Sequence, residues 1–299
     1  MKTALVTGGA GFIGSYLVDK LVSLGTKTII IDNLSTGFKS NINSKSIFFE
    51  ESITNDIKYI FKEYKPDTVF HLAAKPSVPY STYYPTATDF INVNGTVNLL
   101  EASLAYDVKR FIFSSSSSVY GGSIEVPSVE TMEPNPLSPY ALQKLTGEKY
   151  CKLFTKYGLD TCSLRYFNVF GKRQNPDSQY SAVIAAFLKH KKNKTNPQIH
   201  GDGTQSRDFC HVDNVVHANI CAAKRIQNFN GEVFNIGCGH SVSINELKSL
   251  FGFESAVYTE TREGDVKKSQ ADISKAMALL GYSIQTSFLD GITKMLLSV

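Results

Sequence analysis

A short apolar strand over residues 2–7 runs directly into Gly8-Gly9-Ala10-Gly11-Phe12-Ile13-Gly14, and helical apolar spacing follows over residues 16–23. Strand, glycine turn, helix is the pattern that most limits what this chain can become. Gly8 suits a tight turn, Gly11 lets backbone approach a pyrophosphate, and Gly14 lets the helix pack closely. The first turn of such a helix offers free N–H groups to negative charge. An ordinary glycine turn is the competing reading. A second strand, residues 28–31, ends at Asp32, 18 residues after Gly14. A carboxylate there accepts hydrogen bonds from ribose hydroxyls and repels a 2′-phosphate, and no arginine follows it directly, so NAD is expected rather than NADP.

The same alternation continues. Apolar strands are expected at residues 68–72, 110–114 and 161–165, with helical segments at 52–64, 93–106 and 140–157 and a proline-rich loop over 127–139. Short apolar strands alternating with helices predict a doubly wound α/β domain, a parallel sheet covered on both faces. Beyond Gly171 the pattern turns irregular, with helices expected near 182–189 and 212–223 and a return to the sheet at 233–236. Residues 1–170 are therefore expected to form mainly the dinucleotide domain. Residues 171–299 are expected to form mainly a smaller, mixed substrate lobe, interleaved with the first.

Composition narrows the partners. With 299 residues and 42% hydrophobic content, disorder and fibrous repeats are excluded. The net charge of +4 is spread along the chain, so nucleic acid is not an expected partner, and the basic run 189–194 reads as a solvated helix end. No leader-like stretch or membrane-length apolar segment is visible, so a soluble, cytoplasmic protein without membrane insertion is expected. Five cysteines without a CxxC pair argue against a disulfide scaffold or a structural metal site, and reduced, mostly buried thiols are expected.

Tyr140 and Lys144 stand four apart at the start of a helix and share one face. A nearby ammonium favours a phenolate, which can take a proton from an alcohol at neutral pH. The run Ser114 to Ser118 follows a strand, at the carboxyl edge where such sheets bind ligands. Ser116 is the first choice for a hydroxyl on the substrate oxygen, and Ser118 the second. His71 reads as a packed histidine, and His211 and His217, six apart, do not form a zinc pair. Arg165, Arg173, Arg207 and Arg262 are candidates for a nucleotide diphosphate, with Arg207 favoured by its Gly-Asp-Gly loop; Asn168 and Gln174 offer amides for neutral polar groups.

In these ordered motifs, together with Asp32 through Gly37, His71-Leu72-Ala73-Ala74 and Arg165 through Gly171, the chain resembles the extended short-chain dehydrogenase/reductases, specifically the nucleotide-sugar 4-epimerases. That resemblance implies a Rossmann domain, NAD, and a UDP-sugar substrate. It adds Phe12, Ile13, Asn33, Ser35, Thr36, Gly37, Ser52, Ile53, Leu72, Ala73 and Ala74 to the cofactor side; Ser52 stands where relatives carry an aspartate. It implies substrate contacts from Ser77, Ser116, Ser118, Asn168, Gln174, Arg207, Arg262 and Ser269.

In the mechanism it implies, Tyr140 removes the 4-hydroxyl proton beside Ser116. A hydride leaves C4 for NAD, and the 4-keto sugar turns and is reduced from its other face. Lys144 holds the nicotinamide ribose. The four serines Ser115 to Ser118 lack the acidic pair of sugar dehydratases and the glutamate of the related decarboxylases, which favours simple epimerisation. Ser269 stands where enzymes restricted to unacetylated hexoses carry tyrosine, leaving room for a 2-acetamido group. UDP-N-acetylglucosamine is the expected substrate, with UDP-glucose and UDP-galactose besides. The alternative is a UDP-N-acetylglucosaminuronate 4-epimerase or another nucleotide-sugar oxidoreductase. A homodimer through the helices at 93–106 and 140–157 is also expected from the resemblance.

Overall fold

In the computed structural model, residues 1–122, 125–174, 183–261 and 266–297 are described. The first part runs β1 (Thr3–Thr7), α1 (Phe12–Ser23), β2 (Lys27–Ile31), β3 (Ile47–Phe49), α2 (Lys58–Tyr64), β4 (Thr68–His71), α3 (Val78–Tyr83), α4 (Pro85–Asp89), α5 (Gly95–Ala105), β5 (Arg110–Ser116), α6 (Pro139–Thr155) and β6 (Asp160–Tyr166). After it come β7 (Val169–Phe170), α7 (Val183–Asn193), β8 (Gln198–His200), β9 (Ser206–Arg207), β10 (Cys210–His211), α8 (Val212–Lys224) and β11 (Glu232–Ile236). The chain closes with β12 (Val242–Ser243), α9 (Ile244–Leu250), β13 (Val257–Thr259), β14 (Lys268–Ser269), α10 (Ser274–Leu280) and α11 (Phe288–Leu296).

Seven strands form one parallel sheet in the order β3-β2-β1-β4-β5-β6-β11. The period of two along each strand explains why it is covered twice. Val6, Ile30 and Ile112 turn to one face and pack with Leu17, Val18 and Val215 of α1 and α8. Leu5, Ile29, Ile31, Phe111 and Phe113 turn to the other and pack with Leu99, Leu100 and Phe154 of α5 and α6. The winding reverses between β1 and β4, so their diverging carboxyl ends open a crevice.

Several expectations change. The strand β3, too short to show a clear pattern, completes the β2 edge. The helix expected from residue 52 begins at Lys58, because residues 52–57 instead turn inward, with Ile53 and Ile57 buried. The helix expected from residue 93 starts as a π-helical turn, Phe90–Asn94, before α5. α6 begins at Pro139 behind an N-cap in which Ser138 Oγ accepts from Ala141 N at 3.2 Å. β11 pairs with β6, returning the chain to the sheet from beyond Gly171.

The later residues also build small sheets, one of which sets β9 between antiparallel β12 and parallel β14. Phe170, Ile184, Phe187, Phe251 and Phe288 share a separate apolar core. Among the described residues no helix is long and apolar enough to cross a membrane. All five cysteines are free thiols, and Cys151, Cys162 and Cys210 are buried.

Candidate active site

The crevice at the β1/β4 reversal is a cleft lined by the glycine turn, the end of β2, the loop after β4, the serine strand and the start of α6. Gly8 has φ +71°, and a Cβ on it would lie 2.8 Å from Ala73 N. A Cβ on Gly14 would lie 2.1 Å from Gly8 O, so the first turn of α1 rests on the turn itself. Gly11 is the N-cap of α1 without a side-chain cap, and the free N–H groups of such a first turn suit a phosphate. The buried Asp32 accepts from Ala10 N at 2.9 Å and from Leu34 N at 2.8 Å, so one carboxylate ties the glycine turn to the end of β2. These residues fit a dinucleotide.

Phe12, Ile13, Asn33, Ser35, Thr36, Ser52, Ile53, Leu72, Ala73 and Ala74 all line the same cleft. Gly37 stands behind it, where a Cβ would meet Ala10 C at 2.9 Å. Ser52 Oγ and Thr54 Oγ1 hydrogen-bond each other at 2.8 Å, and the carboxylate on this wall belongs to the preceding residue, Glu51.

His71 is buried between two threonines, with Nδ1 2.8 Å from Thr7 Oγ1 and Nε2 2.9 Å from Thr96 Oγ1. The Thr96 hydroxyl donates to Asn92 O at 2.6 Å, so Nε2 carries the proton and Nδ1 accepts from Thr7. Burial, aided by the Lys144 charge, holds its pKa well below the usual imidazole value. It is a neutral structural ring.

The five serines divide the work. Ser114 Oγ bonds Tyr166 Oη at 3.0 Å, and its carbonyl accepts from Lys144 Nζ at 2.7 Å. Ser115 Oγ donates to Glu148 at 2.5 Å. Ser116, the last residue of β5, accepts from Ser118 N at 3.1 Å and hydrogen-bonds the Tyr140 phenol. Ser117 opens the 3₁₀ turn Ser117–Tyr120, and in that turn Ser118 Oγ is buried without a hydrogen-bond partner among the described residues.

Tyr140 and Lys144 share the cleft, but their protonation differs from the expected phenolate. Burial pushes the Tyr140 phenol up to about 12, against a smaller lowering by Ser116. Burial also brings the Lys144 ammonium down to about 8, against raising contributions from Cys151 and Glu148. Lys144 Nζ lies 4.9 Å from the Phe113 ring centre and 5.9 Å from that of Tyr140. Desolvation outweighs the Ser116 hydrogen bond here, so Tyr140 is a neutral phenol.

In the small β12-β9-β14 sheet, Ser269 of β14 is the register partner of Arg207 on β9. Asp208 N donates to Ser269 O at 2.7 Å, and Asn168 Nδ2 donates to Asp208 O at 3.1 Å, so Asn168, Arg207 and Ser269 are stitched together. Asp208 itself went unnoticed in the sequence. It is fully buried, accepts from the backbone N–H of Cys238, Gly239 and Ala271 at 2.8, 2.9 and 3.1 Å, and burial pushes its carboxyl up to about 6.

Gln174 Nε2 donates to Val169 O at 3.2 Å, while its Oε1 is buried without a partner among the described residues. Ser77 caps α3 by accepting from Tyr80 N at 3.2 Å, and α3 touches α6 through Tyr140 N and Ser81 Oγ at 3.1 Å. Arg262 lies outside the described residues. Two arginine candidates have other partners: Arg165 is buried against Glu148, and Arg173 pairs with Asp19 at 2.8 Å over the Tyr16 ring.

A seven-stranded parallel sheet, a glycine turn at its switch point and a Tyr/Lys pair beside a serine strand define a dinucleotide-dependent enzyme acting on an alcohol or carbonyl. The profile of the NAD dependent epimerase/dehydratase family matches residues 4–237. The chain belongs to that family, and NAD is its cofactor. It is 42% identical to a putative UDP-glucose 4-epimerase of Methanocaldococcus jannaschii over 97% of this chain and 96% of the relative. The structure of a UDP-glucose 4-epimerase from Thermotoga maritima with UDP-glucose superimposes with TM-score 0.94 at 41% identity, covering 98% of this chain and 97% of that one. A UDP-N-acetylglucosamine 4-epimerase from Methanobrevibacter ruminantium, in complex with UDP-N-acetylmuramic acid, gives TM-score 0.92 at 39% identity, covering 99% and 97%.

Proposed function

We propose that the chain is a UDP-N-acetylglucosamine 4-epimerase that inverts C4 through a transient 4-keto sugar and also accepts UDP-glucose. The observation that carries this reading is the Tyr140–Ser116 hydrogen bond beside Lys144, in the cleft that holds the glycine turn. Bound NAD supplies a hydride acceptor that is restored within each cycle. Once it has released its own proton to solvent, Tyr140 takes and returns the 4-hydroxyl proton as a phenolate, Ser116 orients that oxygen, and Lys144 anchors to Ser114 O beside the ring. Arg207 faces the diphosphate, with Arg262 assigned there from sequence. Ser77, Ser118, Asn168, Gln174 and Ser269 contact the sugar and nucleotide. Incubation with UDP-N-acetylglucosamine is expected to give UDP-N-acetylgalactosamine without net NADH, and failure to convert any UDP-hexose or UDP-uronate overturns the reading.

Ser269→Tyr tests the choice of sugar. The added ring is expected to lower kcat/KM for the N-acetylated substrate about tenfold to a hundredfold more than for UDP-glucose, since removing space for one small group is worth roughly 1–3 kcal/mol. Equal losses on both substrates would reject Ser269 as the gate.

One observation favours a second substrate, the N-acetylglucosaminuronate. Lys75 lines the cleft with its ammonium 5.0 Å from the Tyr80 ring centre and no carboxylate partner among the described residues. Its backbone is clamped by the Asn92 amide, which accepts from Lys75 N at 2.8 Å and donates to Lys75 O at 3.2 Å. A fixed cation of this kind suits a sugar carboxylate.

The proposed homodimer uses α5 and α6. Leu142 and Leu153 of α6 are 54% and 39% exposed, and Phe90 in the turn entering α5 is 53% exposed. Light scattering is expected to give twice the chain mass, and a monomer at micromolar concentration would reject that pairing.

A further inference from the structure

We propose that Glu148 is a positioning residue that sets the register of α6 on β5, and so holds Lys144 and the end of the serine strand in working geometry. This deepens the epimerase reading and rests on it. Ser115 and Arg165 are directly paired residues of β5 and β6, and both side chains end on Glu148. Ser115 Oγ donates to Oε1 at 2.5 Å, Arg165 Nε donates to Oε1 at 2.8 Å, and Arg165 Nη2 donates to Oε2 at 2.7 Å.

Glu148 lies one turn beyond Lys144 on α6, and Lys144 Nζ donates to the carbonyl of Ser114 at 2.7 Å. Successive strand residues thus engage successive turns of the helix. A slip of either element by one residue breaks both attachments at once.

The approach is close because Gly147, between the two, faces the Phe113 ring; a Cβ there would lie 2.4 Å from it. Lys144 stacks over that same ring. Glu148, Arg165 and Ser115 are 4%, 3% and 3% exposed. A buried ion pair is a poor source of net stability but a sound means of fixing one arrangement against its neighbours. The groups facing Lys144 are Tyr140, Glu148 and Cys151 on its own helix and neutral His71 on β4. Glu148 is the carboxylate among them, and with Cys151 it opposes the lowering of the ammonium by burial.

The test compares Glu148→Gln with the double variant Glu148→Gln/Arg165→Met, which avoids leaving the guanidinium unpaired in the interior. Turnover, substrate KM and the titration of Lys144 followed by NMR of labelled lysine are measured on the NAD-loaded protein. In both variants kcat is expected to fall roughly 10- to 100-fold, the scale of a small misplacement of a reacting group, with KM within about threefold. Lys144 is expected to titrate at lower pH in both, and Glu148→Asp is expected to restore part of kcat. A folded double variant with wild-type kcat and an unmoved Lys144 titration overturns the proposal. Should the wild type turn over no nucleotide sugar, the epimerase reading fails, while the lysine titration still decides the role of Glu148.

Discussion

Tyr140→Phe is expected to lower nucleotide-sugar turnover by about 10³-fold, within the usual range for a lost general acid–base, while the affinities for NAD and substrate change by no more than a few-fold. The change removes one oxygen whose hydrogen-bond partner is Ser116, and keeps the ring at the start of α6. Lys144 keeps its bond to Ser114 O, so the second member of the pair stays in place. Turnover by stopped assay and affinity by calorimetry separate the two effects. A variant that retains a tenth of the wild-type turnover would remove Tyr140 from the proton path. The pH dependence carries a second check with a defined sign. Burial keeps Tyr140 protonated up to about 12, and Lys144 loses its proton around 8. The reactive pairing of a phenolate with an ammonium has one proton fewer than the pair carries below about pH 8, so it is gained as pH rises through about 8, and turnover is expected to rise across that range.

Gly14→Ala is expected to damage cofactor binding and the fold together. The new methyl carbon would sit 2.1 Å from Gly8 O, and that neighbour is backbone held by the close approach of Ala73 to Gly8. α1 must lift from the turn. Overpacking of this kind costs roughly 1–3 kcal/mol. If that strain falls on the NAD-bound state, affinity drops by about tenfold to a hundredfold. Thermal unfolding with and without NAD measures both parts, and a variant with wild-type melting temperature and NAD affinity would show that the turn yields without cost.

The gathering of the glycine turn and Asp32 in one cleft was legible because these residues lie close along the chain. Gly8, Gly11 and Gly14 act through the backbone within one turn, and Asp32 ends the next strand, so spacing along the chain matched spacing in space. Tyr140 and Lys144 were legible for the same reason, through the helical repeat. Protonation was not legible, because burial decides it and burial depends on the whole sheet. Asp208 and Arg165 escaped in opposite ways. Asp208 gathers N–H groups from Cys238, Gly239 and Ala271, far along the chain, and nothing local marks it as a hub. Arg165 looked available for phosphate until Glu148, from a different element, met it in the interior. A signal for Glu148 did exist, four residues after Lys144 on one helix face, and it takes on meaning only once β5 and β6 lie beneath that face.

Asp32 serves two masters. The carboxylate that would turn away a phosphorylated ribose is also the hook on which Ala10 and Leu34 hang. Redesigning this enzyme for the phosphorylated coenzyme by trimming Asp32 to alanine would therefore slacken the loop before it widened the choice of ligand. A workable exchange has to bring its own acceptor for those two amides, which makes coenzyme preference and loop order a single trait that any descendant of this chain must alter together.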